Sequence, residues 1–214
     1  RVLSSSTGDD RVTAGARRPI TARLIQKLHL RWLAHVRRGW YTDNPVLHTF
    51  GQVGSGLLDE LNASDADILN LHWISNMLSV RDIGRLKKPL FWTLHDMWAF
   101  CGGEHYAPDD NGARFRQGYS TNNRPVIERG PDLNRQSWEA KRRAWAHQHF
   151  TIICPSRWLA DCVRQSALFS DAAVHVIPNP LDVERLWRPI PREVARVALA
   201  LAPDKQLTLM GAPG

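Results

Sequence analysis

The stretch Pro89-Leu-Phe-Trp-Thr-Leu-His-Asp96 decides the fold of this chain. Residues 90–94 form a continuous run of apolar and β-favouring side chains, bounded by a proline and by a polar His-Asp pair. Such a run is typical of a short strand that is buried on both faces, as strands of parallel sheets are. Open α/β sheets bind their ligands beyond the carboxyl ends of the strands. We therefore predict a ligand site at His95 and Asp96.

The rest of the chain alternates between short apolar runs and helical patterns. We predict strands at residues 45–50, 68–71, 150–154, 174–177 and 206–210, and helices at residues 21–38, 80–86, 135–149, 157–165 and 189–201. A further short helix is expected to end at Leu61. Strands that alternate with helices indicate an α/β fold with a doubly wound, Rossmann-like parallel sheet. Residues 102–131 are polar without a clear period, and so long a loop is usually functional or mobile.

Composition and charge narrow the class of protein. The 214 residues are 43% hydrophobic and 23% charged, which is ordinary for a globular chain. Three scattered cysteines are too few for a disulfide framework, so we expect a reducing, cytoplasmic location. No apolar run reaches the ~20 residues of a membrane span. The net charge of +7 favours an anionic partner, namely nucleic acid, a membrane surface or a phosphorylated ligand.

Four motifs occur in order along the chain. They are residues 92–106, which read Trp-Thr-Leu-His-Asp-Met-Trp-Ala-Phe and then Gly-Gly and His-Tyr; Asp67-Ile-Leu-Asn-Leu-His-Trp73; Pro155-Ser-Arg-Trp-Leu-Ala160; and Val176-Ile-Pro-Asn-Pro-Leu-Asp182. Together these motifs resemble the bacterial, retaining glycosyltransferases of GT-B type, of the group 1 or family 4-like kind. Enzymes of this kind use nucleotide-sugars, often to make exopolysaccharide, capsule or O-antigen.

The resemblance implies an enzyme, hexosyltransferase-like, that moves a sugar from a nucleotide-sugar to a saccharide or lipid-linked acceptor with retention of anomeric configuration. It also implies that the sequence is the N-terminal half of a GT-B enzyme, truncated at both ends and inactive alone. The expected divisions are a flexible basic segment at 1–19, an acceptor-side Rossmann-like domain at 20–182 without its first strand, a linker and helix at 183–205, and the start of the nucleotide-sugar domain at 206–214.

The resemblance implies that His95 is the catalytic residue and faces the donor sugar. The alternative, a core histidine satisfied by a backbone carbonyl, stays open. Asp96 is expected to orient the imidazole of His95, to select its tautomer or to cap the next turn. The other residues expected to bind substrate are Gly102, Gly103, His105, Tyr106, His72, Trp73, Asn76, Ser156, Arg157 and Asn179.

Some of these residues also have structural interpretations. The two glycines allow a tight turn or a close approach of the backbone to a ligand. Ser156 suits the N-cap of the helix that follows, although a helix start also binds anions. Among the tryptophans, Trp73 and Trp98 are expected to stack on an acceptor sugar, whereas Trp92 and Trp158 are expected in the core.

A metal site is the next alternative, because His95, Asp96, Glu104 and His105 carry groups that bind divalent ions. Their spacing matches no metal-ligand pattern, and the resemblance implies an enzyme that needs no metal or other cofactor. Relatives often carry several cysteines after Gly-Gly, in a pattern typical of a metal or disulfide clasp. Here Glu104 stands in place of the first, so the 102–131 loop is held by other contacts or is not held.

Residues 21–38 predict a basic amphipathic helix, with Ile25, Leu28, Trp32, Leu33 and Val36 on one face and Arg23, Lys27 and Arg31 on another. The helix either docks on its own sheet or lies at the inner face of an anionic membrane, near a lipid-linked acceptor. The alternative function is a non-catalytic sugar- or nucleic-acid-binding module that uses this basic face. No recognisable nucleic-acid module is present, so we expect no nucleic-acid partner.

Overall fold

A computed structural model of the protein describes residues 20–75 and 77–208. The chain divides into two compact units, which are residues 1–178 and 179–214. Its helices are α1 (Ile20–Arg37), α2 (Leu58–Ala63), α3 (Val80–Ile83), α4 (Arg114–Gln117), α5 (Leu133–Ala144), α6 (Arg157–Arg164) and α7 (Arg192–Ala198). Its strands are β1 (Leu69–Leu71), β2 (Leu90–Thr93), β3 (Phe150–Cys154) and β4 (Ala173–Val176).

The four strands form one parallel sheet in the order β1-β2-β3-β4. Leu69 pairs with Leu90, Leu90 with Phe150, and Thr151 with Ala173. Parallel neighbours require crossover connections, and each crossover here contains at least one helix. The predicted Rossmann-like α/β fold is therefore confirmed. All four carboxyl ends lie at the same edge of the sheet.

The core is built around β2. Leu90 and Trp92 are buried, while Phe91 and Thr93 are half-buried, so the strand is fully covered on one face instead of the predicted two. The ring of Trp92 packs against those of Trp145 and Phe150, with centroids 5.5 and 5.7 Å apart. Burial of such large rings supplies much of the apolar driving force for folding.

Helix α5 covers this core with one face. Asp132 caps its start by accepting a hydrogen bond from the backbone N–H of Arg135, at 2.9 Å. Trp138 and Lys141 are buried on the covered face. The indole N–H of Trp145, just beyond the helix, donates to the carbonyl of Val80 at 2.9 Å, which joins α5 to α3. The basic side chains Arg142 and Arg143 are exposed.

Several predictions about secondary structure are wrong. Residues 45–50 form no strand, because their backbone instead bridges to the glycine loop, where Thr49 N–H donates to the Gly103 carbonyl at 2.7 Å. The edge strand β4 lies one residue earlier than predicted and is largely exposed. Residues 206–208 are irregular, and the rest of the strand predicted at 206–210 lies outside the described residues, as does segment 1–19.

The tryptophan predictions also need correction, and the structure bears on the alternatives for α1. Trp98 is buried at 4% exposure, so it cannot stack on a sugar, and Trp158 is 45% exposed instead of lying in the core. Helix α1 was left with two alternatives, docking on its own sheet or lying at a membrane, and Leu28 and Trp32 on its apolar face are 65% and 55% exposed. The exposure of Leu28 does not favour the docked alternative at that position. The side chains of Arg23, Ile25 and Leu33 lie outside the described residues.

The 102–131 loop is held by polar contacts. The guanidinium of Arg114 forms an ion pair with Asp132 at 2.7 Å, and the side chains of both residues are almost buried. The hydroxyl of Tyr119 donates a hydrogen bond to the buried carboxylate of Glu104. Trp158, which lies outside the loop, donates its indole N–H to Asp109 within the loop at 2.7 Å. Glu104 thus anchors the loop through its contact with Tyr119.

Candidate active site

Two histidines meet at the carboxyl edge of the sheet. His72 follows β1 directly, and His95 follows β2 by one residue. The pairing of Leu71 with Trp92 brings these two strand ends side by side. Nδ1 of His72 lies 3.1 Å from Nε2 of His95, and the ring centroids are 5.3 Å apart. Both side chains are exposed, so His95 is not the core histidine of the alternative interpretation.

The electrostatics of the pair favour a neutral His72 ring. Partial burial, and then the charge of a protonated His95, lower the pKa of His72 below its ordinary value. Two imidazolium rings in this contact would repel each other, and neither would offer a lone pair to the other. At least one ring must therefore be neutral while the hydrogen bond exists.

Asp96 serves a different histidine from the one expected. Its Oδ2 lies 2.7 Å from Nδ1 of buried His105, and its Oδ1 accepts the backbone N–H of Trp98 at 2.8 Å. Nε2 of His105 in turn lies 3.0 Å from the hydroxyl of Thr49. Of the roles expected for Asp96, the bond from Trp98 matches capping of the next turn, whereas the imidazole that its carboxylate contacts is that of His105 and not that of His95. Asp96 instead holds the turn after β2 to the loop that contains His105.

Two exposed aromatic residues flank His95. The ring of Trp73 stacks on His105, with centroids 4.8 Å apart and an interplanar angle of 22°. Trp73 is 51% exposed, which leaves much of its surface open to solvent. Tyr106 is also exposed, and its hydroxyl donates to the backbone carbonyl of His95 at 3.4 Å. Exposed aromatic faces of this kind are suitable surfaces for the apolar face of a sugar ring.

A small cavity lies beneath these side chains. Its volume is about 20 Å³, and its lining includes His72, Trp73, Thr93, His95 and His105. A volume of this size holds about one water molecule. A cavity of this size cannot enclose a sugar ring.

The predicted glycine site is structural. Gly102 and Gly103 are buried. A Cβ atom at Gly102 would lie 2.6 Å from the backbone oxygen of Asn134, and one at Gly103 would lie 2.4 Å from the ring of Phe50. These positions need glycine because other protein atoms approach so closely. Protein atoms occupy the space that a Cβ atom would need at both residues, and a contact of this pair with substrate stays a prediction.

Sequence reasoning missed Lys141, which lies fully buried behind the glycines. Its Nζ donates to the carbonyl oxygens of Trp98, Cys101 and Gly102, and it lies 3.8 Å from the centroid of the Trp98 ring. Burial lowers the pKa of Lys141 to about 7. Its burial could have been predicted from the sequence, because Lys141 lies three residues after Trp138 on the apolar face of α5.

The remaining predicted residues lie elsewhere. Ser156 and Arg157 are exposed beyond β3, at the same sheet edge, and Ser156 caps α6 by accepting the N–H of Leu159 at 3.2 Å. Asn179 belongs to the second unit. Asn76 lies outside the described residues. Roles for these four residues in binding substrate stay predictions.

In residues 20–75 and 77–208, no group of three or more histidine, cysteine or acidic side chains is arranged to hold a metal ion. Within the same residues, none of the helices combines the length and apolar character that crossing a membrane requires. The expectation that the enzyme needs no metal stays a prediction.

Comparison with known families agrees with this architecture. The sequence profile of Glycosyltransferase Family 4 matches residues 9–185, a range that includes the whole sheet and both histidines of the pair. No curated protein and no solved structure matches the chain. The matched range covers well over half of the 214 residues. The chain therefore belongs to Glycosyltransferase Family 4, and its function is that of a glycosyltransferase.

Proposed function

We propose that the protein transfers a hexose from a nucleotide-sugar to a saccharide or lipid-linked acceptor, with retention of anomeric configuration, and that His95 is its catalytic residue. The observation that carries this proposal is the exposed imidazole of His95 at the carboxyl end of β2, where open α/β sheets bind ligands. We also propose that the enzyme acts in the synthesis of a bacterial polysaccharide, as enzymes that it resembles do.

A retaining sugar transfer requires an oriented polar group near the sugar ring. In a retaining transfer, the acceptor hydroxyl attacks the face of the sugar from which the diphosphate leaves, and positive charge develops on the ring. A fixed dipole near that charge, together with fixed orientation of the reacting groups, stabilises the transition state. The His95 imidazole supplies such a dipole, and its hydrogen bond with His72 limits its motion.

The proposed acceptor surface consists of Trp73 and Tyr106. Both rings are about half exposed and lie beside His95. A saccharide stacked on these rings would bring a hydroxyl group to the edge of the sheet. The proposal includes no metal, which stays a prediction.

A peripheral position on the cytoplasmic face of a membrane is the second part of the proposal. The exposed Leu24 and Leu28 of α1 lie beside exposed Lys27 and Arg31 on the same helix. Such a helix suits the interface of an anionic bilayer, where apolar side chains enter the headgroup layer and basic ones meet lipid charge. A lipid-linked acceptor would be found there.

The test is His95→Ala in the full-length protein, with His147→Ala as the matched control because His147 is also exposed. Sugar transfer should fall about a hundredfold in His95→Ala, as expected for the loss of about 3 kcal/mol of transition-state stabilisation. The melting temperature should stay close to that of the wild type. A His95→Ala enzyme that is destabilised but fully competent in transfer would contradict the proposal.

A further inference from the structure

The hydrogen bond between the two histidines restricts both rings. Nδ1 of His72 and Nε2 of His95 are 3.1 Å apart, a normal hydrogen-bond distance. Such a bond needs one N–H and one lone pair, so the two nitrogens share a single proton. When both rings are neutral, the position of this proton fixes the tautomer of each.

This contact determines which atom of His95 can meet a ligand. Its Nε2 is engaged by His72, and its Nδ1 has no hydrogen-bond partner among residues 20–75 and 77–208. The backbone of His95 is restrained separately, because the Tyr106 hydroxyl donates to its carbonyl oxygen. The ring orientation therefore depends chiefly on His72.

We propose that His72 is a positioning residue, which holds the His95 ring in one orientation by sharing a proton with its Nε2, so that Nδ1 of His95 faces the substrate. The inference rests on the catalytic role proposed for His95. It gives His72 a task different from the direct substrate contact expected from the sequence.

The other titratable groups nearby are engaged elsewhere. Asp96 and His105 are bonded to each other at 2.7 Å, and the Tyr106 hydroxyl contacts the backbone of His95, not its ring. Among the described residues, His72 alone forms a hydrogen bond with the ring of His95. Its lowered pKa keeps His72 neutral, so that it can still offer a lone pair when His95 is protonated.

The first measurement is the tautomer of His95, read from the nitrogen shifts of its imidazole by NMR. It should be recorded in the wild type, in His72→Asn and in His72→Leu. Asparagine keeps a hydrogen-bonding group near the place of Nδ1, whereas leucine keeps bulk and removes the bond. We expect the ratio of the two His95 tautomers in His72→Leu to differ from that of the wild type, and the ratio in His72→Asn to lie nearer the wild type. An unchanged ratio in His72→Leu would overturn the proposal.

The second measurement is transfer by the same three full-length proteins. We expect kcat to fall about tenfold in His72→Leu with little change in KM, and to recover in His72→Asn. Equal rates in all three, or equal losses in both variants, would contradict positioning by a hydrogen bond. If His95→Ala were fully active, the catalytic role of His95 would fail, while the NMR comparison would still decide whether His72 fixes the ring.

Discussion

Replacing Lys141 by methionine should remove a pH dependence from the stability of the protein. Burial lowers the pKa of Lys141 from 10.5 to about 7. Between these values the folded protein has released a proton that the unfolded chain still holds. Stability rises with pH wherever the unfolded state binds more protons, so Lys141 makes the fold more stable as the pH rises above 7. This contribution is lost as the pH falls through about 7.

The size of the effect follows from the two pKa values. From about pH 6.5 to about pH 8, Lys141 should add about 1 kcal/mol to the free energy of unfolding, because a full proton difference is worth about 1.4 kcal/mol per pH unit. At higher pH the effect is opposed. Burial raises the pKa values of Cys101 and Tyr119, so unfolding releases their protons there. Between about pH 6.5 and about pH 8, the effect of Lys141 on stability is therefore measured apart from those of Cys101 and Tyr119.

The assay is urea unfolding at the two pH values for the wild type, Lys141→Met and Lys87→Met. Lys87 is exposed, so its variant should keep the pH dependence of the wild type. Comparing variants also cancels the titration of the nine histidines that all three proteins share. Identical pH dependence in the wild type and Lys141→Met would refute the reasoning. It would mean that the three carbonyl contacts keep the Lys141 ammonium charged.

Two further predictions concern the 102–131 loop and α1. Tyr119→Phe leaves the buried Glu104 carboxylate without the hydrogen that the hydroxyl donates, so the free energy of unfolding should fall by about 1–3 kcal/mol. An unchanged urea midpoint would contradict it. Replacing Lys27 and Arg31 by glutamate should reduce sedimentation with anionic vesicles, and wild-type binding should weaken with salt, because surface charges are screened over about 8 Å at physiological ionic strength. Equal wild-type recovery on neutral and anionic vesicles would rule out the electrostatic part of membrane binding.

The sheet was predictable because its strands are short continuous apolar runs. The prediction at 150–154 coincides with β3, and those for β1, β2 and β4 are displaced by about one residue. The strand predicted at 45–50 is absent, which shows that a short apolar run does not always form a strand. Its backbone groups pair with Gly103 and His105 in a neighbouring loop, and that partnership depends on the folded arrangement of two distant segments.

The position of the candidate site was also predictable, because residues that follow parallel strands must share one edge of the sheet. The partners within it were harder to predict. The contacts of Glu104 with Tyr119, and of Lys141 with three carbonyl oxygens, join segments that are distant in sequence and depend on the folded arrangement of the loop and α5. A lysine on an apolar helix face is nevertheless a visible anomaly. Such a residue needs acceptors, and the carbonyls of a nearby tight turn are natural ones.

The contact of Asp96 with His105 instead of His95 has a physical cause that the sequence already contained. Successive side chains in extended backbone point in opposite directions, so neighbours in sequence rarely contact each other there. His95 and Asp96 lie in the bend after β2, and they continue the alternating burial of that strand, with His95 exposed and Asp96 buried. The carboxylate therefore turns inward to His105, while His95 turns outward to His72 on the neighbouring strand end. Lateral neighbours across a parallel sheet, read from strand register, predict the partners of such a histidine better than its neighbours along the chain.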